Sequence, residues 1–297
     1  MQDPAAQARA ARKKAGLWDP FPRGVLSITG KDRARFLHNL LSHDIKGLQE
    51  GQQRPACLLD RQGKMRFFCV VHARPDEMLL EMDPKSLPAA RELLQKYLIS
   101  EAVEIQDATT HYRILALYGP DAAALLTPGP RFIAQADWPG LPGFTLWMEA
   151  GSTEKPSAPA CGPEAFELLR IEAGVPWPGK EIGPSVILNE LGEQAPVSFT
   201  KGCFIGQEIV ARIKYRAHPP RLLTGFVLEG DGVPEPGNPI LLGTEPAGIV
   251  TSACLSPTLQ RPIALGFLNF GVSADLFSVP TPRGPQPARS AALPFVR

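Results

Sequence analysis

The segment Lys201-Gly202-Cys203-Phe204-Ile205-Gly206-Gln207-Glu208 places one thiol between two glycines, just after a lysine. The apolar-periodic run Ile209, Val210 and Ile213 follows, and predicts a helix beginning near Gly206. Such a helix aims its free N–H groups and the positive end of its dipole back toward Cys203. A nearby ammonium and a helix N-terminus both favour thiolate over thiol. Cys203 is therefore a candidate reactive cysteine, tuned by Lys201. Gly202 and Gly206 permit positive φ or the close approach of another group. The same spacing serves equally for a buried, inert cysteine in a tight turn.

Two further constellations carry charge. Arg170 and Glu172 lie two apart on a predicted helix and cannot share one face, so at least one should meet a pocket or an interdomain contact. Glu208 and Arg212 are four apart, the spacing of an intrahelical ion pair worth about 0.2–0.5 kcal/mol. Alternatively, Arg212 binds a carboxylate ligand, with Lys214, Arg216 and Arg221 close by. His38, His43, His72, His111 and His218 show no metal-ligand spacing. His43-Asp44 is an acid–base pair by type, but its place at a helix C-terminus and the following turn gives it no catalytic assignment. The five cysteines are odd in number and scattered, which excludes a zinc site and a disulfide framework and predicts reduced thiols.

These residues need a scaffold. Val25 to Ile28 reads as a strand, followed by a Gly-x-Asp turn and a helix facing Phe36, Leu37, Leu40 and Leu41 inward. Residues 56–59 and 65–71 form a hairpin around Gly63, 78–82 another strand, and 87–98 a second helix. Ile114 to Ala122 repeats the strand, Gly-x-Asp and helix order, with the aspartate in each copy able to cap its helix. Residues 150–163 read as a surface loop and 166–173 as a helix ended by Gly174. Residues 175–198 are proline-rich and irregular, suited to wrapping a pocket. From Leu222 the pattern becomes short strands and turns, the texture of a small barrel, with the last strand expected over 290–296. An α+β region over 25–217 thus precedes a β-barrel over 218–297, with 1–24 as an N-terminal extension.

Composition sets outer limits. A chain of 297 residues with 44% apolar and 21% charged residues is an ordinary globular protein of two or three units. Net charge of +1 leaves no general footprint for nucleic acid. No apolar stretch is long enough to cross a bilayer, and the basic N-terminus lacks the core of a secretory signal. Cytoplasmic placement is the expectation.

Four blocks in order resemble the YgfZ family of folate-binding proteins, relatives of the glycine-cleavage T-protein. They are the octapeptide around Cys203, Leu169-Arg170-Ile171-Glu172-Ala173-Gly174, Thr29-Gly30-Lys31-Asp32 with Ser42-His43-Asp44-Ile45, and Leu58-Leu59-Asp60-x-x-Gly63. The resemblance implies a ring of two interleaved α+β domains and a β-barrel around a tetrahydrofolate. It implies folate contacts at Glu172, Arg170, Arg212, Gln207, Gly202 and Gly206, and a thiol at Cys203 with Lys201. The function implied is an accessory role in iron–sulfur cluster assembly or repair through client proteins. A folate-dependent aminomethyltransferase or demethylase is the alternative, and an effect on transfer-RNA modification a second. In the aminomethyltransferases the hairpin carries an Asp pair, where this chain has Phe67-Phe68. Phenylalanine cannot accept a proton, which speaks against glycine cleavage and leaves Phe67 or Phe68 free to pack on a pterin.

Overall fold

The computed structural model describes residues 3–296. Helix α1 (Pro4–Lys13) opens the chain, its first turn closed by the Asp3 carboxylate, which accepts from the N–H groups of Ala5 and Ala6. Strand β1 (Gly16–Trp18), β2 (Gly24–Thr29), helix α2 (Arg33–Leu40), β3 (Gln53–Leu59), β4 (Met65–Ala73), β5 (Glu77–Met82), helix α3 (Leu87–Tyr97) and β6 (Glu104–Asp107) follow. Strands β2 to β6 make a five-stranded antiparallel sheet in the order β3-β4-β5-β2-β6. Its core takes Leu37 and Leu41 from the α2 segment and Leu94 from α3 against Leu26, Ile28, Val71 and Leu80.

The second sheet is built from β7 (Tyr112–Tyr118), β8 (Phe132–Ala136) and β9 (Gly143–Glu149), with β1 joined to the edge of β7 in the order β1-β7-β9-β8. Residues 4–18 are therefore not an extension. They complete this sheet, and α1 buries Ala8 and Ala11 beside helix α4 (Pro163–Glu172). A large hydrophobic payload drives this, because Trp18, Phe21, Tyr118, Trp147 and Phe166 share one core. Since β1 precedes the first sheet and pairs with the second, the two units interleave in sequence.

The internal repeat holds only in part. After β7 the second copy forms a short 3₁₀ turn, Ala122–Leu125, instead of a helix, and Asp121 makes no side-chain cap. In the first copy Asp32 reaches outward, accepting the Ala102 N–H at 2.9 Å and pairing with Arg35 at 3.0 Å. Neither aspartate caps its own helix.

Residues 175–206 form no regular element beyond a 3₁₀ stretch at Leu188–Gln194. Helix α5 (Gln207–Arg216) leads to the barrel strands β10 (Arg221–Leu228), β11 (Pro239–Leu242), β12 (Glu245–Leu255), β13 (Pro262–Asn269), β14 (Phe277–Val279) and β15 (Gln286–Ala291). They close in the order β10-β13-β12-β11-β14-β15 around Phe226, Ile240, Val250 and Phe277. The last strand ends earlier than the sequence suggests. Residues 292–296 turn away from the barrel, and the Val296 N–H donates to the Glu172 carbonyl at 3.0 Å. None of the helices among the described residues is long and apolar enough to cross a membrane.

Candidate functional site

All three units contribute to one central cavity of about 590 Å³. The first sheet supplies Phe68 from β4 and, from the turn after α2, His43. The second supplies Asp137, Trp138 and Gly140 from the β8–β9 connection. The end of α4 and the irregular segment add Ala173, Val175, Pro176 and Ile182, then Gln194 to Pro196, and the post-barrel tail adds Pro294 and Val296. The aromatic wall is made of rings packed edge to face. Trp138 meets Phe68 edge-on at 6.0 Å between ring centroids and Trp177 at 5.7 Å. Gly140 holds φ of 86°, and a Cβ there would lie 2.1 Å from the Ala173 side chain. Only glycine lets this turn close on the end of α4.

Polar groups on this surface are few. His43 Nδ1 accepts the Asp44 N–H at 2.9 Å, so the neutral ring carries its proton on Nε2. Burial first, then the charges of Arg54 and Lys201, push the His43 pKa below its ordinary value, with Asp44 opposing. Gln194 donates its amide to the Gly174 carbonyl at 2.8 Å and keeps its own oxygen as an acceptor. Asp137 adds an exposed carboxylate. An aromatic slot with a carboxylate, an amide and an imidazole is suited to a flat heterocycle with a donor–acceptor edge.

The structure corrects most of the expected site. Glu172 is fully buried and points away from the cavity. Its carboxylate accepts from Arg12 at 2.7 Å, Ser256 Oγ at 2.5 Å, and the Thr258 N–H and hydroxyl at 3.0 Å each. Every lone pair is engaged by protein, so Glu172 joins α4 to α1 and the barrel. Arg170 is equally buried, bonded to Glu167 at 3.0 Å, Glu181 at 2.9 Å, the Val175 carbonyl at 3.2 Å and the Ser252 hydroxyl. Both members of the pair face the barrel, because the end of α4 is enclosed on two sides.

Cys203 is exposed, but it lies outside the central cavity. It sits in a shallow depression of about 400 Å³ with Arg61, Phe204, Gly206, Gln207 and Glu208. Gln207 closes this turn by accepting the Phe204 N–H at 3.1 Å, with its amide 3.9 Å from Cys203 Sγ. Gly206 caps α5 at φ of 83°, and a Cβ there would come within 2.5 Å of the Asp60 carbonyl. That close approach seats α5 on the β3–β4 hairpin. Gly202 is exposed, with open space around it. Lys201 does not spend its charge on the thiol alone. Its ammonium donates to the carbonyls of His38, Leu41 at 2.5 Å and His43 at 3.2 Å, closing the C-terminal end of α2. Burial lowers its pKa to about 8, against the pull of Asp44 and Cys203. Arg212 lies exposed on α5 beside Tyr215 and Arg216, away from the cavity, and forms no ion pair with Glu208 among the described residues.

His43, Asp137, Trp138 and Gln194 were not singled out for the site by sequence. His43-Asp44 is the one signal that type and spacing offered. Phe67 enters the first sheet's core, while Phe68 lines the cavity.

The family model of the GCVT N-terminal domain matches residues 2–136, and that of the glycine cleavage T-protein C-terminal barrel domain matches residues 221–297. An aminomethyltransferase of Rubrobacter xylanophilus is 31% identical over 98% of this chain and 86% of its own length. One from Streptomyces avermitilis is 29% identical over 97% and 88%. The crystal structure of the glycine cleavage system aminomethyltransferase T from Bartonella henselae shares the fold, with a TM-score of 0.88 at 21% identity over 99% of this chain and 89% of that one. Relatives that span nearly the full length and bear the name aminomethyltransferase overturn the expectation of an iron–sulfur accessory protein, and they give no support to transfer-RNA modification. With two domain models in order and a full-length relative above 30% identity, the chain belongs to the aminomethyltransferase family of glycine cleavage T-proteins.

Proposed function

We propose that this protein is a folate-dependent enzyme of the aminomethyltransferase or demethylase type, moving a one-carbon unit between an amine and tetrahydrofolate held in the central cavity. The observation that carries the reading is the cavity itself: an aromatic-walled slot with a few convergent polar groups, where three units meet. Its residues fit a pterin. Phe68 and Trp138 offer ring faces and edges, and the Asp137 carboxylate can accept two hydrogen bonds from an amino and ring N–H edge. Gln194 offers an acceptor and His43 an N–H donor. When bound, tetrahydrofolate supplies the nitrogen that carries the one-carbon unit. The protein's part is to orient that ring and exclude water around it.

The hairpin departure bears on the donor. With Phe67 and Phe68 at the Asp-pair positions, β4 brings no carboxylate to the cavity, and Asp137 from the β8–β9 connection is the acidic group that remains there. We read this as an N-methyl or aminomethyl donor other than that of glycine cleavage. The YgfZ-like segment at 201–208 supports a separate branch within the family.

Calorimetric titration with tetrahydrofolate is the test. Wild-type protein should bind with a 1:1 stoichiometry, and Trp138→Ala should weaken binding by about tenfold, the loss of one well-placed aromatic contact. Wild-type protein with no heat of binding and no turnover of methylamine donors would remove the proposal.

A further inference from the structure

The turn after α2 brings one titratable ring to the cavity, and its two nitrogens have separate tasks. His43 Nδ1 is engaged by the Asp44 N–H, and the residue's carbonyl accepts from the Lys201 ammonium. Backbone and side chain are thus fixed from two directions, by its own turn and by the loop before α5. Around it stand Asp44 on the same turn, Arg54 on β3, Lys201 beneath it, and Asp137 elsewhere on the cavity wall. Arg54 donates to the Asp44 carbonyl at 3.1 Å, which holds the turn in register with the sheet. With Nδ1 committed as an acceptor, Nε2–H is the ring's available donor on the cavity wall.

We propose that His43 is a recognition residue for the ligand of the central cavity, donating from Nε2–H to an acceptor atom of the bound heterocycle. The inference rests on the tetrahydrofolate reading and names a contact within it. Protonation of the ring would place an N–H at Nδ1 against the Asp44 N–H, breaking the contact that orients it. Ligand affinity should therefore decline as the solution is acidified below the ordinary histidine range. The local positive charge of Arg54 and Lys201, together with burial, delays that protonation, while Asp44 favours it.

Two isosteric replacements separate the nitrogens. In His43→Asn the amide oxygen replaces Nδ1 as partner of the Asp44 N–H, but nothing replaces Nε2. In His43→Gln the longer amide reaches the Nε2 position and the turn contact is lost. The His43→Asn variant should melt like wild type and, in calorimetric titration, bind tetrahydrofolate about three- to tenfold more weakly, the range for one hydrogen bond. The His43→Gln variant should bind within about threefold of wild type, melt slightly lower, and lose the decline in affinity on acidification through the histidine range. Nitrogen NMR of the ligand-free protein should show the proton of His43 on Nε2. Wild-type affinity retained by the His43→Asn variant would overturn the assignment, as would a ring protonated on Nδ1 in neutral protein. A wild-type protein that binds no tetrahydrofolate at all would overturn the underlying reading as well.

Discussion

Removing the Glu172 carboxylate should destabilise the protein far more than it alters ligand binding. Glu172→Ala deletes the acceptor of four hydrogen bonds, one of them from the Arg12 guanidinium, at a site with no solvent exposure. Removing one partner of a buried, hydrogen-bonded ion pair costs about 3–5 kcal/mol, because the remaining charge and polar donors stay desolvated. Arg12 is partly exposed and can swing toward water, which places the loss near the lower end. With an unfolding entropy of about 2.1 cal/mol/K per residue, a chain of this length has roughly 0.6 kcal/mol/K, so the melting temperature should fall by about 5–6 °C. If the barrel or the α1 unit melts separately, the smaller cooperative unit should shift further. Scanning calorimetry gives both the midpoint and the number of transitions. Glu172→Gln, which keeps one acceptor and the side-chain volume, should fall between alanine and wild type. Affinity for tetrahydrofolate, measured well below the melting range, should stay within about threefold of wild type. The reasoning fails if the alanine variant melts like wild type, or if it melts normally and no longer binds.

Thiol labelling at neutral pH should find one fast cysteine. Cys203 is exposed, whereas Cys57, Cys69 and Cys254 are buried and burial pushes their pKa values up, that of Cys254 to about 12. Cys161, half-buried and raised to about 11, should label slowly, and Cys203→Ala should remove the fast phase without changing tetrahydrofolate affinity. Acid stability should track Glu81, which accepts from Arg23 at 2.7 Å and meets His72 at 2.9 Å. Burial raises its pKa, but Arg23 and His72 outweigh this and bring it to about 2. A carboxyl depressed on folding contributes stability above its unfolded value near 4.5, and that contribution should disappear as pH falls toward 2. Denaturant midpoints across that window should flatten in Glu81→Gln; an unchanged slope would exclude Glu81 as its source.

The fold was largely legible because its signals are periodic. Apolar strand runs and the Leu37, Leu40 and Leu41 spacing of α2 report burial directly, and those residues are in the core. The N-terminal segment hides its place in the fold for a physical reason. Alanines carry a weak hydrophobic signal, yet Ala8 and Ala11 allow α1 to approach α4 closely, where larger residues would hold it away. The final strand reads longer than it is because Leu293 and Phe295 alternate like strand residues, although Pro294 between them has no N–H for a ladder. In fact Leu293 and Phe295 cover Gly225 from outside the barrel, where a Cβ would come within 2.8 Å of either side chain.

The candidate site was less legible, since charge type in a sequence does not reveal which face of a helix is enclosed. Arg170 and Glu172 look like ligand-binding charges and are interdomain bolts, because α4 ends between the second sheet and the barrel. The groups that do reach the cavity lie on connections: the turn after α2, the β8–β9 link and the post-barrel tail. Such segments have no period to read, and their convergence exists only once three units have closed. The Phe67-Phe68 pair shows the same rule from the other side. Adjacent residues on β4 face opposite ways, so one fills a core while its neighbour walls the cavity, and a carboxylate at the second position alone would reach a ligand there. Asp137, on the β8–β9 connection, is the carboxylate that this cavity wall does carry.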